Sequence, residues 1–211
     1  MAGVRKNQLR HGASTRRLKG PAAFDASLDP GLRPLAVMPR QQLDTLLRSA
    51  LERCDGASGA HCIHELWMRG EFAANIEAAL SALWRCAAVS IPEWLPMRYV
   101  DWLPRVYELA AGFRAARTGR SNLYLVLLDF EDRNRGPHGV YVGMSGYTPS
   151  QRFDQHKAGI RAAGSVLQRG IEVLTGPVLH LQGIARAEAV RIEAQLAEAL
   201  SDAGLLVEGG H

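Results

Sequence analysis

The chain has 211 residues, of which 47% are apolar, enough to bury an ordinary globular core and to exclude a wholly disordered protein. Its net charge of +4 is unevenly placed. Arg5, Lys6, Arg10, Arg16, Arg17 and Lys19 all precede the first acidic residue, Asp25, and setting those six aside leaves 19 of the 25 basic residues against 21 acidic ones. No run approaches the roughly eighteen apolar residues of a membrane helix, so a soluble, cytoplasmic protein with no membrane partner is expected.

Cys54, Cys62 and Cys86 are an odd number without the paired spacing of a disulfide framework, which fits a reducing compartment. Cys54, His61, Cys62 and His64 bring zinc-type ligands into one short stretch. However, His61 and Cys62 are adjacent and no second paired half follows, so the common zinc spacings are not met.

Residues 1–38 are rich in Gly, Pro and Arg, lack sustained periodicity, and read as a basic flexible arm with a turn at Asp29-Pro30-Gly31. Such an arm adds non-specific attraction to nucleic acid, or is simply solvated. From Gln41 to Arg53, Leu43, Leu46, Leu47, Ala50 and Leu51 recur at helical spacing, and a glycine-bearing loop at Asp55 to Ala60 follows. A second helix is predicted from Glu71 to Val89, ended by Pro92 and Pro96. A third runs from Met97 or Tyr99 to Arg117, with a kink at Pro104. Residues 39–118 thus read as a helical accessory domain. Trp67, Trp84, Trp94 and Trp102 all fall in it; aromatics at helical spacing usually fill cores, which outweighs a base-stacking surface.

Gly119 marks a boundary. Leu123 to Leu128 is a continuous apolar run, consistent with a strand buried on both faces. Asp129 to Gly139 is turn-like, and Val140 to Gly143 returns as an antiparallel partner. Pro177 to Leu181, flanked by glycines, reads as a third strand, and a last helix spans Ala185 to Ser201. The expected class is α/β in the α+β sense: a small three-stranded, mainly antiparallel sheet flanked by helices and preceded by a helical N-terminal region.

Thr148-Pro149-Ser150-Gln151 is a helix start: Thr148 caps, Pro149 suits the first position and Gln151 closes a capping box. On the helix that follows, Arg152 and His156 are four apart and share a face, so a phosphate docked near one is within reach of the other; Phe153 and Ile160 supply the adjacent buried stripe. Taken alone, that pair is also what a solvated face looks like. Glu193 flanks the stripe made by Ala189, Val190, Leu196, Ala197 and Leu200, where a carboxylate needs a cation or hydrogen-bond partners. A divalent metal satisfies it, as does a salt bridge to Arg152 or Arg186.

The segment Val140-Tyr141-Val142-Gly143-Met144-Ser145, running through Arg152-Phe153 to His156-Lys157, resembles the second motif and first helix of GIY-YIG nuclease domains. Asn122-Leu123-Tyr124 stands where the first motif is expected, and Glu188-Ala189 through Ile192-Glu193 resembles the helix carrying the family's metal-binding glutamate. The likeness covers residues 121–203, with Asn122 in place of a glycine and Met144 in place of a common lysine. It implies that residues 119–211 form a catalytic domain of a metal-dependent endonuclease acting on nucleic acid, DNA before RNA. Tyr124, Tyr141, Arg152, His156 and Glu193 are then the catalytic set. Glu193 binds Mg²⁺ or Mn²⁺, and Gly143, Ser145 and Lys157 contact substrate. The alternative is a non-catalytic nucleic-acid or protein-binding module on the same fold.

Overall fold

The computed structural model describes residues 25–130 and 136–210, so most of the basic arm lies outside the described residues. Four helices come first: α1 (Arg40–Glu52), α2 (Gly56–Met68), α3 (Ala73–Ala87) and α4 (Leu103–Ala110). Then follow β1 (Asn122–Asp129), β2 (His138–Ser145), α5 (Pro149–Lys157), α6 (Gly164–Arg169), β3 (Gly170–Val173), α7 (Arg186–Asp202) and β4 (Val207–Gly209). The class is the expected mixed one, with a helical N-terminal region and one sheet flanked by helices.

That sheet has four strands, in the order β3-β1-β2-β4, rather than three. β1 and β2 pair antiparallel, Tyr124 opposite Gly143 and Val126 opposite Tyr141. β3 joins the other edge of β1 antiparallel, and β4 adds in parallel to β2. Pro177 to Leu181, predicted as the third strand, is a 3₁₀ segment (Gly176–Leu181). The flanking glycines are not strand punctuation: a Cβ at Gly176 would collide with the Tyr107 hydroxyl.

α2 falls where a loop at Asp55 to Ala60 was predicted. The Asp55 side chain accepts from Ser58 N at 3.0 Å and caps it. Its glycines permit close packing, since a Cβ at Gly56 would lie 2.5 Å from the Ser90 carbonyl and one at Gly59 2.5 Å from Leu83. The helix predicted to Arg117 is confined to α4, with Pro104 in its first turn instead of at a kink. Ahead of it, the Met97 and Arg98 N–H groups donate to the Glu172 carboxylate of β3, 3.2 Å each, which holds the backbone out of the helix.

One continuous core joins the helical region to one sheet face: Leu43, Trp67 and Val106 belong to it with Leu125, Val142 and Leu196. Glu65, 1% exposed, receives Arg33 and Arg69 at 2.7 Å each, and Arg69 also donates to the carbonyls of Leu35, Ala36 and Met38. This ties the described end of the predicted arm to α2. The opposite sheet face packs Tyr124, Val126 and Leu128 against Val166, Phe153 and Ala163 of the α5–α6 region. β1 is therefore buried on both faces, as its apolar run implies. Two sequence stripes are corrected: Ile160 is 55% and Val190 44% exposed, because α5 stops at Lys157 and α7 turns Val190 outward.

Candidate active site

Strand alternation puts Tyr124 of β1 and Tyr141 of β2 on the same face, which α5 covers. The rings lie with centroids 5.9 Å apart, and each is about 6.0 Å from the His156 ring. The Thr148 capping box is complete: the Thr148 hydroxyl accepts from Gln151 N at 3.3 Å, and the Gln151 side chain accepts from Thr148 N at 3.2 Å. This fixes the start of α5 and with it the inward aim of His156, 1% exposed, one turn beyond Arg152.

Gly143 makes room for the phenols. A Cβ there would lie 2.6 Å from Cζ and Oη of Tyr124 and 2.7 Å from Cε1 of Tyr141. The glycine that carries the sequence motif thus acts as the floor under both rings.

The hydrogen-bond directions in this cluster can be worked out. Ala163 N donates to His156 Nδ1 at 2.9 Å, so Nδ1 is the acceptor nitrogen of a neutral ring and Nε2 carries the proton. Nε2 lies 2.9 Å from Tyr124 Oη and donates to it. The Arg152 guanidinium and the Tyr141 phenol both lie close enough to Tyr124 to act on its ionisation. Since His156 donates to Tyr124 and arginine has no acceptor, Tyr141 is the neighbour in this cluster toward which the Tyr124 proton can turn. Donors therefore run from the Ala163 amide through His156 to Tyr124, with Tyr141, the more exposed of the two phenols, alongside.

Burial, assisted by the Arg152 charge, pushes the His156 imidazole down to about 4. Burial raises the Tyr124 phenol well above its ordinary value, with Tyr141 adding to the shift and Arg152 opposing it. Tyr141 is raised by burial and by the Glu193 carboxylate, against the pull of the Tyr124 hydrogen bond and Arg152. At neutral pH the histidine is uncharged and both tyrosines are protonated.

Arg152 is anchored by Gln155 Oε1 at 3.1 Å and by the carbonyls of Ile160 at 3.3 Å and Arg161 at 2.8 Å. Glu193, 8% exposed on α7, is close enough to Tyr141 to act on its ionisation. A carboxylate beside a phenol is a hard-oxygen donor set, which suits Mg²⁺ or Mn²⁺ held by one carboxylate, waters and a substrate phosphate. Among the described residues no three His, Cys, Asp or Glu side chains are grouped to hold a metal, so Cys54, His61, Cys62 and His64 do not form a zinc set. His61, Cys62 and His64 are buried along α2, with Cys54 exposed beyond the end of α1.

The other predicted contacts separate. Ser145 ends β2 and its hydroxyl accepts from Tyr147 N at 3.1 Å, shaping the turn into α5. The Lys157 ammonium is engaged with the carbonyls of Leu167 and Gly170, both at 3.2 Å, where it closes α6. Asn122, in the glycine position of the first motif, has a role that sequence reading missed. Its amide donates to the Tyr147 carbonyl at 2.9 Å and its oxygen accepts from Gly183 N at 2.9 Å, joining the loop before α5 to the loop before α7. The paired hydrogen-bonding capacity of asparagine is the one signal that could have pointed to it.

No helix among the described residues is long and apolar enough to cross a membrane. No protein-family model, curated protein or solved structure matches the chain.

Proposed function

We propose that the protein is a metal-dependent endonuclease that hydrolyses phosphodiester bonds in nucleic acid, with DNA the first substrate to try. The observation that carries this reading is the cluster of Tyr124, Tyr141 and His156, with His156 donating to Tyr124 and with Arg152 and Glu193 close enough to act on the phenols. A general base, a phosphate-binding cation and a metal-binding carboxylate are what phosphodiester hydrolysis needs at one point.

In this reading Arg152, held by two backbone carbonyls, keeps a fixed positive charge against the scissile phosphate and stabilises the charge that builds on it. The base is Tyr141 in its phenolate form, reached by loss of its own proton to solvent, and the attacking water gives its proton to that oxygen. His156 is not the base, because its one lone pair is occupied by the Ala163 amide; it donates to Tyr124, which lies alongside Tyr141, so negative charge on the pair is met by that hydrogen bond and by the Arg152 charge. Glu193 would hold Mg²⁺ or Mn²⁺, which would supply positive charge to offset that on the leaving oxygen and would ease ionisation of the neighbouring phenol.

A second reading, a binding module without turnover on the same fold, is favoured by the upward shift of both phenols, which without a cation leaves little base at neutral pH. The deciding experiment incubates the protein with Mg²⁺ or Mn²⁺ and a panel of single-stranded, duplex and branched DNA and RNA. Metal-dependent cleavage of any member supports the nuclease. Binding without cleavage under all conditions contradicts it and favours the module.

A further inference from the structure

The geometry points to a nucleotide-binding subsite next to the tyrosine cluster, in which Arg161 and Arg186 hold the phosphate flanking the scissile one and Tyr147 stacks on its base. The proposal rests on the nuclease reading only for the words flanking and scissile. The subsite itself is a cleft of about 510 Å³ lined by Ser145, Gly146, Tyr147 and the three guanidinium side chains Arg152, Arg161 and Arg186, with no carboxylate among its lining residues. That volume is of the size a single nucleotide needs. Arg152 belongs to both the cleft and the tyrosine cluster, so a strand crossing one runs into the other.

Two features indicate that the cleft is built. Arg161 has a left-handed backbone, φ 46°, which costs energy in a residue with a Cβ. The Arg152 guanidinium holds its carbonyl at 2.8 Å, so the same residue whose charge acts on Tyr124 also sets the backbone from which Arg161 projects. The opposite walls are fastened by Asn122, which bonds the Tyr147 carbonyl on one side and the Gly183 amide, three residues before Arg186, on the other. Three guanidinium side chains lining one cleft with no carboxylate among its lining residues give it a positive potential that favours an anion there. Tyr147, 53% exposed, lines the same cleft with its backbone fixed at both N–H and carbonyl. A phosphate clamp beside an exposed aromatic ring is the arrangement that takes a single strand, because a base within a duplex has its faces covered.

The test measures binding of a short fluorescein-labelled single-stranded DNA by the full chain in EDTA, by anisotropy across a salt series, so that no cleavage is needed for a readout. The Arg161→Asn/Arg186→Ala pair is expected to weaken binding at least about tenfold and to lower the slope of log affinity against log salt by roughly 0.7, the contribution of one single-strand phosphate. Asparagine is chosen at 161 because it tolerates the left-handed backbone. The Arg161→Lys/Arg186→Lys pair, which keeps the charges, restores the slope. Tyr147→Ala weakens binding about 5- to 100-fold at unchanged slope, while Tyr147→Phe does not. The proposal is overturned if the charge-removing pair keeps both wild-type affinity and slope, or if Tyr147→Ala has no effect and a duplex of the same sequence binds equally well. The two readings fail separately: binding with these dependences but no cleavage in Mg²⁺ sinks the nuclease and keeps the subsite, whereas cleavage and binding indifferent to all these changes sink the subsite alone.

Discussion

Tyr124 Oη and His156 Nε2 lie 2.9 Å apart, with the histidine donating, because its other nitrogen already accepts from the Ala163 amide at 2.9 Å. In the proposed nuclease the ring is therefore a positioning group for the tyrosine pair. His156→Ala should lower the cleavage rate by about 10- to 100-fold, and His156→Gln, whose amide can still donate, should recover part of the loss. Wild-type rate should climb with pH through the range 7 to 9, as a phenol base requires. A histidine base titrating near 4 would instead give a rate flat from about pH 6 upward and a Gln variant no better than Ala.

Gly143 has no space for a side chain. Gly143→Ala sets a methyl 2.6 Å from Tyr124 Cζ and Oη, so either β2 or the phenol must shift. Overpacking of this kind costs about 1–3 kcal/mol, and the misplaced hydroxyl should lose most of the cleavage rate. A variant with wild-type melting temperature and rate would show that the rings are not seated as described.

A glycine at position 122, where the resemblance would place one, should do harm. Asn122→Gly removes the bonds to the Tyr147 carbonyl and the Gly183 amide, at about 0.5–1.5 kcal/mol each. The melting temperature should fall and single-stranded DNA should bind more weakly. Unchanged or improved binding would mean that the asparagine clasp does not shape the cleft.

Acid should destabilise the fold earlier than carboxylate titration alone would require. Burial holds His64 down at about 3, and His156 at about 4, so between pH 6.5 and 4 the unfolded chain takes up protons that the folded chain refuses. Stability is full above pH 6.5 and falls as pH drops, by on the order of 2–3 kcal/mol per histidine at most. Chemical denaturation at pH 7 and pH 5 checks this. His64→Phe, which removes the Nε2 that has no hydrogen-bond partner among the described residues, should shrink the difference, and equal stability at the two pH values would contradict the assignment.

What was legible in the sequence was local. The Leu123 to Leu128 run became β1, and the Thr148–Gln151 box became the start of α5, because each is specified by neighbours within a few residues. Among the candidate residues, Arg152 and His156 follow from one helical turn and Tyr124 and Tyr141 from the resemblance to the two motifs, and the structure brings the four together around Gly143. The misreadings arose where long-range packing sets the meaning of a glycine. Gly56 and Gly59 look like a loop but let α2 approach Ser90 and Leu83, and Gly176 looks like strand punctuation but clears Tyr107. The pairing of β3 with β1, and of β4 with β2, depends on partners distant in the chain. The donor on His156 Nδ1 is a backbone amide, so no side-chain pattern could have revealed which nitrogen faces Tyr124.

The central claim, metal-dependent hydrolysis with Glu193 as the metal-binding carboxylate, is tested most directly by single-turnover cleavage with wild type and Glu193→Ala across a Mg²⁺ and Mn²⁺ titration, with DNA binding measured in parallel. The account predicts cleavage that saturates with metal in the wild type, loss of at least about a hundredfold in the variant, and equal DNA affinity in EDTA. Cleavage by Glu193→Ala at the wild-type rate and metal dependence would contradict it.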